Sequence, residues 1–94
     1  MLLHLKNKKA TTLDRGNLSH RDWLLERIRQ AEDRVVEGER LIARQREIIG
    51  RIEATGDDAS AARKLLATYE ARLELRIAER DRLIAELATS RPTG

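Results

Sequence analysis

Cysteine is absent from this 94-residue chain, and aromatic residues make up only 2% of it. The missing cysteine excludes a disulfide framework, a thiolate zinc site and a cysteine nucleophile. So little aromatic volume is unusual for a compact globular core. No apolar run approaches the roughly 18 residues that a membrane-spanning helix needs, and the apolar start at residues 1–5 is too short for a signal-peptide core. We therefore expect a cytoplasmic protein without a membrane span.

Signals for catalysis or cofactor binding are also missing. The two histidines are His4 and His20, and no Glu is followed three residues later by His, as the di-iron carboxylate bundles require. The glycines stand alone, so no phosphate-binding loop is formed. Ser19 and Ser60 are better explained as helix-start residues than as nucleophiles. The sequence predicts no enzyme, no metal site and no cofactor.

Charged residues make up 37% of the chain, and together with Ala and Leu they give the composition of long helices. The one strong break in the helical pattern is ATGDDA at residues 54–59. Gly56 can take the left-handed conformation that ends a helix, and Asp57 or Asp58 can cap the next one. Two arms of nearly equal length predict an all-α, antiparallel, two-helix coiled-coil hairpin. The predicted divisions are a flexible basic extension at 1–18, helix 19–55, turn 55–58, helix 58–89 and a tail at 91–94.

The first helix has a marked start and a regular apolar repeat. Ser19 and Asp22 have the spacing of a capping box, and Leu18 and Trp23 that of a hydrophobic staple. Apolar residues then recur every seven positions in two interleaved series, which predicts coiled-coil packing. The predicted core residues of this helix are Leu24, Ile28, Val35, Ile42, Ile49 and Ile52.

The second helix has a less regular apolar pattern and should end before Pro92, which cannot continue a helix. Its predicted core residues are Leu66, Tyr69, Leu73, Ile77, Ile84 and Leu87. Spacings of eleven, as from Leu73 to Ile84, indicate a straighter seam than a strict heptad. Arg76 and Arg80 interrupt that heptad.

Folding the chain about Gly56 predicts which residues face each other. Ile42 then meets Leu73, Val35 meets Ile77, and Ile28 meets both Ile84 and Leu87. Gln45 falls near Tyr69, where we expect a buried hydrogen bond. Gly38 falls near Arg76, where the missing side chain leaves room for the arginine stem and Glu37 or Glu39 can pair with its head.

Both helices carry further apolar residues outside this stripe, which favours a helix with two neighbours. An isolated helix pair also barely offsets its chain entropy. We therefore expect two hairpins to dimerise into a four-helix bundle through Leu41, Ile48, Leu65 and Leu75. The function this predicts is a non-catalytic protein–protein interaction or scaffolding module, whose partners are itself and a further protein that the sequence does not identify. A monomeric hairpin with scattered surface apolar residues is the alternative.

The net charge of +3 arises wholly in the N-terminal segment, because each predicted helix is electrically balanced. This suggests a second functional class, a small dimeric nucleic-acid-binding protein with Arg-rich helix faces. Its candidate phosphate contacts are Lys6, Lys8 and Lys9. Balanced helices and few stacking aromatics make this class less favoured, and a solvated tail is the simpler explanation of the lysines.

Several segments carry a resemblance to a known group. They are ERLIARQREII at 39–49, EATGDD at 53–58, ARKLLATYE at 62–70 and RDRL at 80–83. The chain resembles short uncharacterised helical-hairpin proteins of alphaproteobacteria over roughly residues 24–87. The resemblance implies a bacterial cytoplasmic protein with no established activity, so it transfers no functional residues.

Overall fold

The computed structural model describes residues 19–90, which form two α-helices joined by a tight turn. Helix α1 spans His20–Ala54 and helix α2 spans Ser60–Thr89. The two helices pack against each other, and no strand occurs in the described part of the chain. The predicted all-α two-helix hairpin is confirmed. The extension predicted at 1–18 and the tail predicted at 91–94 lie outside the described residues.

Helix α1 begins at the predicted capping box. The Asp22 amide donates to Ser19 Oγ at 3.1 Å, and the Ser19 amide donates to Asp22 Oδ2 at 3.4 Å. Two amides that the helix itself cannot satisfy are thereby paired. Leu18, the other half of the predicted staple with Trp23, lies outside the described residues.

The end of α1 is set by Gly56, as predicted. Gly56 has a φ of 79°, and its amide donates to the Glu53 carbonyl at 3.0 Å. The Asp57 amide reaches back to the Ile52 carbonyl at 3.1 Å, which completes a Schellman motif. A residue with a Cβ takes this left-handed conformation only with strain, so glycine fixes where the chain reverses.

Helix α2 begins at Ser60, two residues later than the predicted start at Asp58. Asp58 Oδ1 accepts hydrogen bonds from the Ser60 amide at 2.9 Å and from Ser60 Oγ at 2.6 Å. These bonds turn the chain into the helix without making Asp58 part of it. Asp58 therefore organises the start of α2 from just outside it.

The buried stripe of α1 follows the predicted heptad. Ile52 continues the stripe in a half-buried position near the turn. The polar Gln45 is the one member with a side chain that needs a hydrogen-bond partner. The buried residues are Leu24, Ile28, Ala31, Val35, Gly38, Ile42, Gln45 and Ile49.

Helix α2 has a half-buried stripe that also follows a regular heptad, in which Leu83 is the buried member. Arg76 and Arg80 occupy seam positions instead of interrupting the repeat, because their aliphatic stems can cover apolar surface while the heads reach its edge. The predicted core residue Ile77 is half-buried, whereas at the next heptad the buried residue is Leu83 and not the predicted Ile84. Ile84 is 42% exposed, whereas Leu83 is buried at 5%. The residues at the heptad positions of this stripe are Ala62, Leu66, Tyr69, Leu73, Arg76, Arg80, Leu83 and Leu87, all half-buried apart from the buried Leu83.

Two contacts between the helices lie near the two ends of the hairpin. Leu83 joins Leu24, Ile28 and Ala31 in a cluster at the open end, with Leu87 packed against it. Near the turn, Gln45 Nε2 donates to the Ala62 carbonyl at 2.9 Å, so the expected bond to Tyr69 is wrong. This bond satisfies the buried amide and ties the two helices together near the turn.

In the middle of the hairpin, Gly38 faces Leu73 and Arg76, as the predicted register requires. A Cβ on Gly38 would lie 3.1 Å from Leu73 Cδ1 and 3.5 Å from Arg76 Nη1. Arg76 Nη1 donates to the Arg34 carbonyl at 2.9 Å and lies 3.9 Å from Glu37 Oε1. The absent side chain thus gives the arginine its path across α1.

Candidate interaction surface

Ion pairs between the helices identify the two sides of the hairpin. On one side His20 Nε2 is hydrogen-bonded to Glu86 Oε2 at 3.3 Å, and Arg27 forms an ion pair with Glu79 at 3.6 Å. On the other side Arg46 pairs with Glu70 at 3.3 Å, and Glu53 pairs with Arg63. These residues flank the buried seam, and heptad geometry puts the two sets on opposite sides of it. These exposed pairs reinforce the register along both edges.

The first side continues with apolar residues towards the turn. The pairs His20–Glu86 and Arg27–Glu79 advance seven residues along each helix in opposite directions. The next two steps place Arg34 opposite Arg72, and Leu41 opposite Leu65. Ile48 follows one heptad later on α1. Shared grooves support this placement, because Leu41 and Arg72 line one of them, while Arg34 and Leu75 line its neighbour.

We call this surface the leucine–arginine face. All four residues predicted for a second interface therefore lie together on it. Leu41 is 39% exposed, Leu65 42% and Leu75 72%, whereas Ile48 is half-buried. No described part of the chain covers them. The face comprises Arg34, Leu41, Arg44, Ile48, Arg51, Leu65, Arg72 and Leu75.

The arginines of this face are the feature that sequence reasoning missed. Within residues 19–90, none of Arg34, Arg44, Arg51 and Arg72 forms an ion pair. The net charge of each helix does not reveal these arginines, because acidic residues on other surfaces of the same helix cancel their charge. The seven-residue spacing of Arg44 and Arg51, which matches that of Leu41 and Ile48, was the available signal.

At the open end of the same side, Trp23 is half-exposed. It stacks on the His20 ring with centroids 5.6 Å apart, and the Arg27 guanidinium lies 5.4 Å from the indole centroid. Arg27 also pairs with Glu79, and His20 with Glu86. The indole therefore covers ion pairs that link the ends of the two helices, which is a structural role.

The shifted pKa values in the described part have local structural causes. A hydrogen bond from Arg29 lowers the pKa of Glu26, assisted by the positive charge of that guanidinium. Hydrogen bonds from the Ser60 hydroxyl and amide lower the pKa of Asp58. Neither carboxylate belongs to a cluster, and residues 19–90 contain no group of three acidic or histidine side chains able to hold a metal.

No family model, curated protein or solved structure matches this chain. Within residues 19–90, neither helix combines the length and hydropathy required to cross a bilayer. The candidate nucleic-acid contacts Lys6, Lys8 and Lys9 lie outside the described residues. Among the described residues, the leucine–arginine face contains all four residues of the predicted second interface.

Proposed function

We propose that this protein is a non-catalytic protein–protein interaction module whose first partner is a second copy of itself. The observation that carries the proposal is the grouping of Leu41, Ile48, Leu65 and Leu75 on one side of the hairpin. A two-helix hairpin buries only one seam, so apolar residues on a second side suit packing against another helix pair. Two such hairpins with coiled-coil packing make a four-helix bundle.

The energetic reason for association is the small core of one hairpin. Few of its large apolar side chains are fully buried, and several are more than one-third exposed. At about 25 cal/mol per Å² of apolar area, covering these residues adds stability that the monomer lacks. Self-association is therefore coupled to the stability of the fold. Scaffolding of a further protein is the role that we propose for a cytoplasmic module of this kind.

Sedimentation equilibrium of the full chain tests this proposal. We expect wild type to exceed its monomer mass of 10.8 kDa, and Leu41→Asn/Leu75→Asn to weaken association about 10- to 100-fold, as for loss of buried apolar contacts. Both side chains are exposed in the hairpin, so the variant should keep its helix content. Ala78→Asn, on the outward surface of α2, is the matched control. A wild type that remains monomeric at every concentration contradicts the proposal.

Nucleic-acid binding is a second candidate because of the arginines on the same face. Arg34, Arg44, Arg51 and Arg72 make no ion pairs with described residues and could contact phosphates. Binding to a labelled DNA duplex and a labelled single-stranded RNA at low and moderate salt tests it. A deletion of residues 1–17 separates the contribution of Lys6, Lys8 and Lys9 from that of the arginines.

A further inference from the structure

The side opposite the leucine–arginine face has its own exposed apolar residues. The ion pairs Arg46–Glu70 and Glu53–Arg63 define the register on this side. Each step of seven residues towards the N-terminus of α1 corresponds to seven residues towards the C-terminus of α2, which places Glu39 opposite Ile77 and Glu32 opposite Ile84. Leu25 and Val36 lie on the same side of α1, at 45% and 43% exposure. We call this surface the acidic face. It comprises Leu25, Glu32, Val36, Glu39, Arg46, Glu53, Arg63, Glu70, Glu74, Ile77 and Ile84.

The two faces carry unpaired charges of opposite sign. Within residues 19–90, Glu32, Glu39 and Glu74 of the acidic face form no ion pair. On the leucine–arginine face, the charged residues that form no ion pair with other described residues are all arginines. The hairpin therefore offers two apolar surfaces whose surplus charges are complementary to each other. Neither surface is complementary to itself.

Resting on the proposed self-association, we propose that one hairpin docks its leucine–arginine face on the acidic face of the next. The occupant of each face is thus a second copy of this chain, in a heterologous arrangement. Apolar residues on both surfaces supply the buried core, and the arginines meet Glu32, Glu39 and Glu74 around it. Packing two leucine–arginine faces together would instead bring Arg34 and Arg72 of both copies into one interface, where like charges repel.

This arrangement has a consequence for the size of the assembly. A pair docked face to opposite face leaves one leucine–arginine face and one acidic face uncovered, so a third copy can add. We expect the weight-average mass to pass twice the monomer mass of 10.8 kDa and to continue rising with concentration. A symmetric interface through one face alone would stop growth at the dimer.

Charge reversal on each face separates the two arrangements. The first variant is Arg34→Glu/Arg72→Glu, and the second is Glu32→Lys/Glu39→Lys. All four side chains are exposed and form no ion pair with described residues, so we expect both variants to fold. The helix content at 222 nm and the unfolding midpoint at low protein concentration check this. We expect each variant alone to associate at least about tenfold more weakly than wild type, because its substituted residues then carry the same charge as the unpaired residues that they meet on the next copy.

Mixing provides the decisive measurement. Equal amounts of the two variants should associate with each other, and a chain carrying all four substitutions should recover self-association, because the introduced glutamates of one copy then meet the introduced lysines of the next. If Glu32→Lys/Glu39→Lys associates like wild type and both stop at the dimer mass, the heterologous arrangement is wrong while self-association stands. A wild type that is monomeric throughout overturns both proposals. Association that disappears after nuclease treatment assigns the arginines to nucleic acid and also overturns this arrangement.

Discussion

At the scale of single residues, the fit between the helices depends on one missing side chain. Gly38 lets Arg76 reach the Arg34 carbonyl and allows Leu73 to lie against the α1 backbone. Because α2 carries charged residues in its buried seam, this close approach keeps the Arg76 stem covered while its head stays hydrogen-bonded. Position 38 therefore requires a residue without a side chain, because Leu73 and Arg76 occupy the space that a side chain would take.

The first prediction compares Gly38→Leu with Gly50→Leu. A leucine at Gly38 meets Leu73 and Arg76, so we expect a loss of about 1–3 kcal/mol in the free energy of unfolding. Gly50 lies on the same helix with no atom within 4 Å of an added Cβ, so its replacement should be neutral or stabilise by up to about 1 kcal/mol. Urea unfolding followed at 222 nm measures both. Equal midpoints for the two variants would contradict the close packing at Gly38.

The second prediction concerns Asp58, whose carboxylate binds Ser60 at the start of α2. Its pKa is lowered from the ordinary value of 3.8, chiefly by the Ser60 hydroxyl and then by the Ser60 amide. A lowered pKa in the folded state means that this stabilisation is complete above the ordinary value and is lost as the pH falls through the folded one. Asp58→Ala should therefore unfold at lower urea than wild type near pH 7, with the difference narrowing in acid. A difference that stays constant with pH would show that the ionised carboxylate is not responsible.

At the scale of elements, the turn decides where the helices meet. The Schellman motif at Gly56 ends α1 at Ala54. Asp58, four residues further on, binds the Ser60 amide, and α2 begins at Ser60. Moving the reversal by one residue would rotate each seam away from the other. The turn thus sets the register that the ion pairs then reinforce.

The third prediction is that Gly56→Val destabilises the hairpin by about 1–3 kcal/mol, because a β-branched residue resists a φ of 79°. Thermal unfolding measures the effect. Gly50→Val, in the middle of α1, controls for the loss of a glycine without a left-handed backbone. An unchanged melting temperature for Gly56→Val would place the reversal elsewhere in the chain.

The two helices differ in how far sequence alone could define them. For α1, apolar residues at seven-residue spacing identify the buried stripe directly, and Ser19 with Asp22 identifies the start. For α2, the rule that charged residues lie outside fails at Arg76 and Arg80, which are half-buried, and the predicted core names the exposed Ile84 in place of the buried Leu83. The place of Arg76 opposite Gly38 could be predicted from the hairpin register, whereas nothing in the sequence indicated that Arg80 is also half-buried. The grouping of Leu41, Ile48, Leu65 and Leu75 was accessible from the hairpin register, whereas the charge difference between the faces required both helices together.

At the scale of the whole molecule, a hairpin with one narrow seam gains stability from whatever covers its sides. The leucine–arginine face and the acidic face are both partly apolar, and their unpaired charges differ in sign. Stability and association should therefore be measured as linked quantities, because any contact present only in the folded assembly favours folding.

The fourth prediction follows from this linkage: the melting temperature should rise with protein concentration. A monomeric hairpin would melt at the same temperature over a range from about 1 to about 100 μM, whereas an associating one gains stability by mass action. Added salt should reduce the gain by screening the arginines and glutamates, but it should leave the contribution of the leucines. Leu41→Asn/Leu75→Asn should flatten the concentration dependence, and Ala78→Asn should retain it. A melting temperature independent of concentration in wild type would mean that the exposed leucines are ordinary surface residues of a monomer.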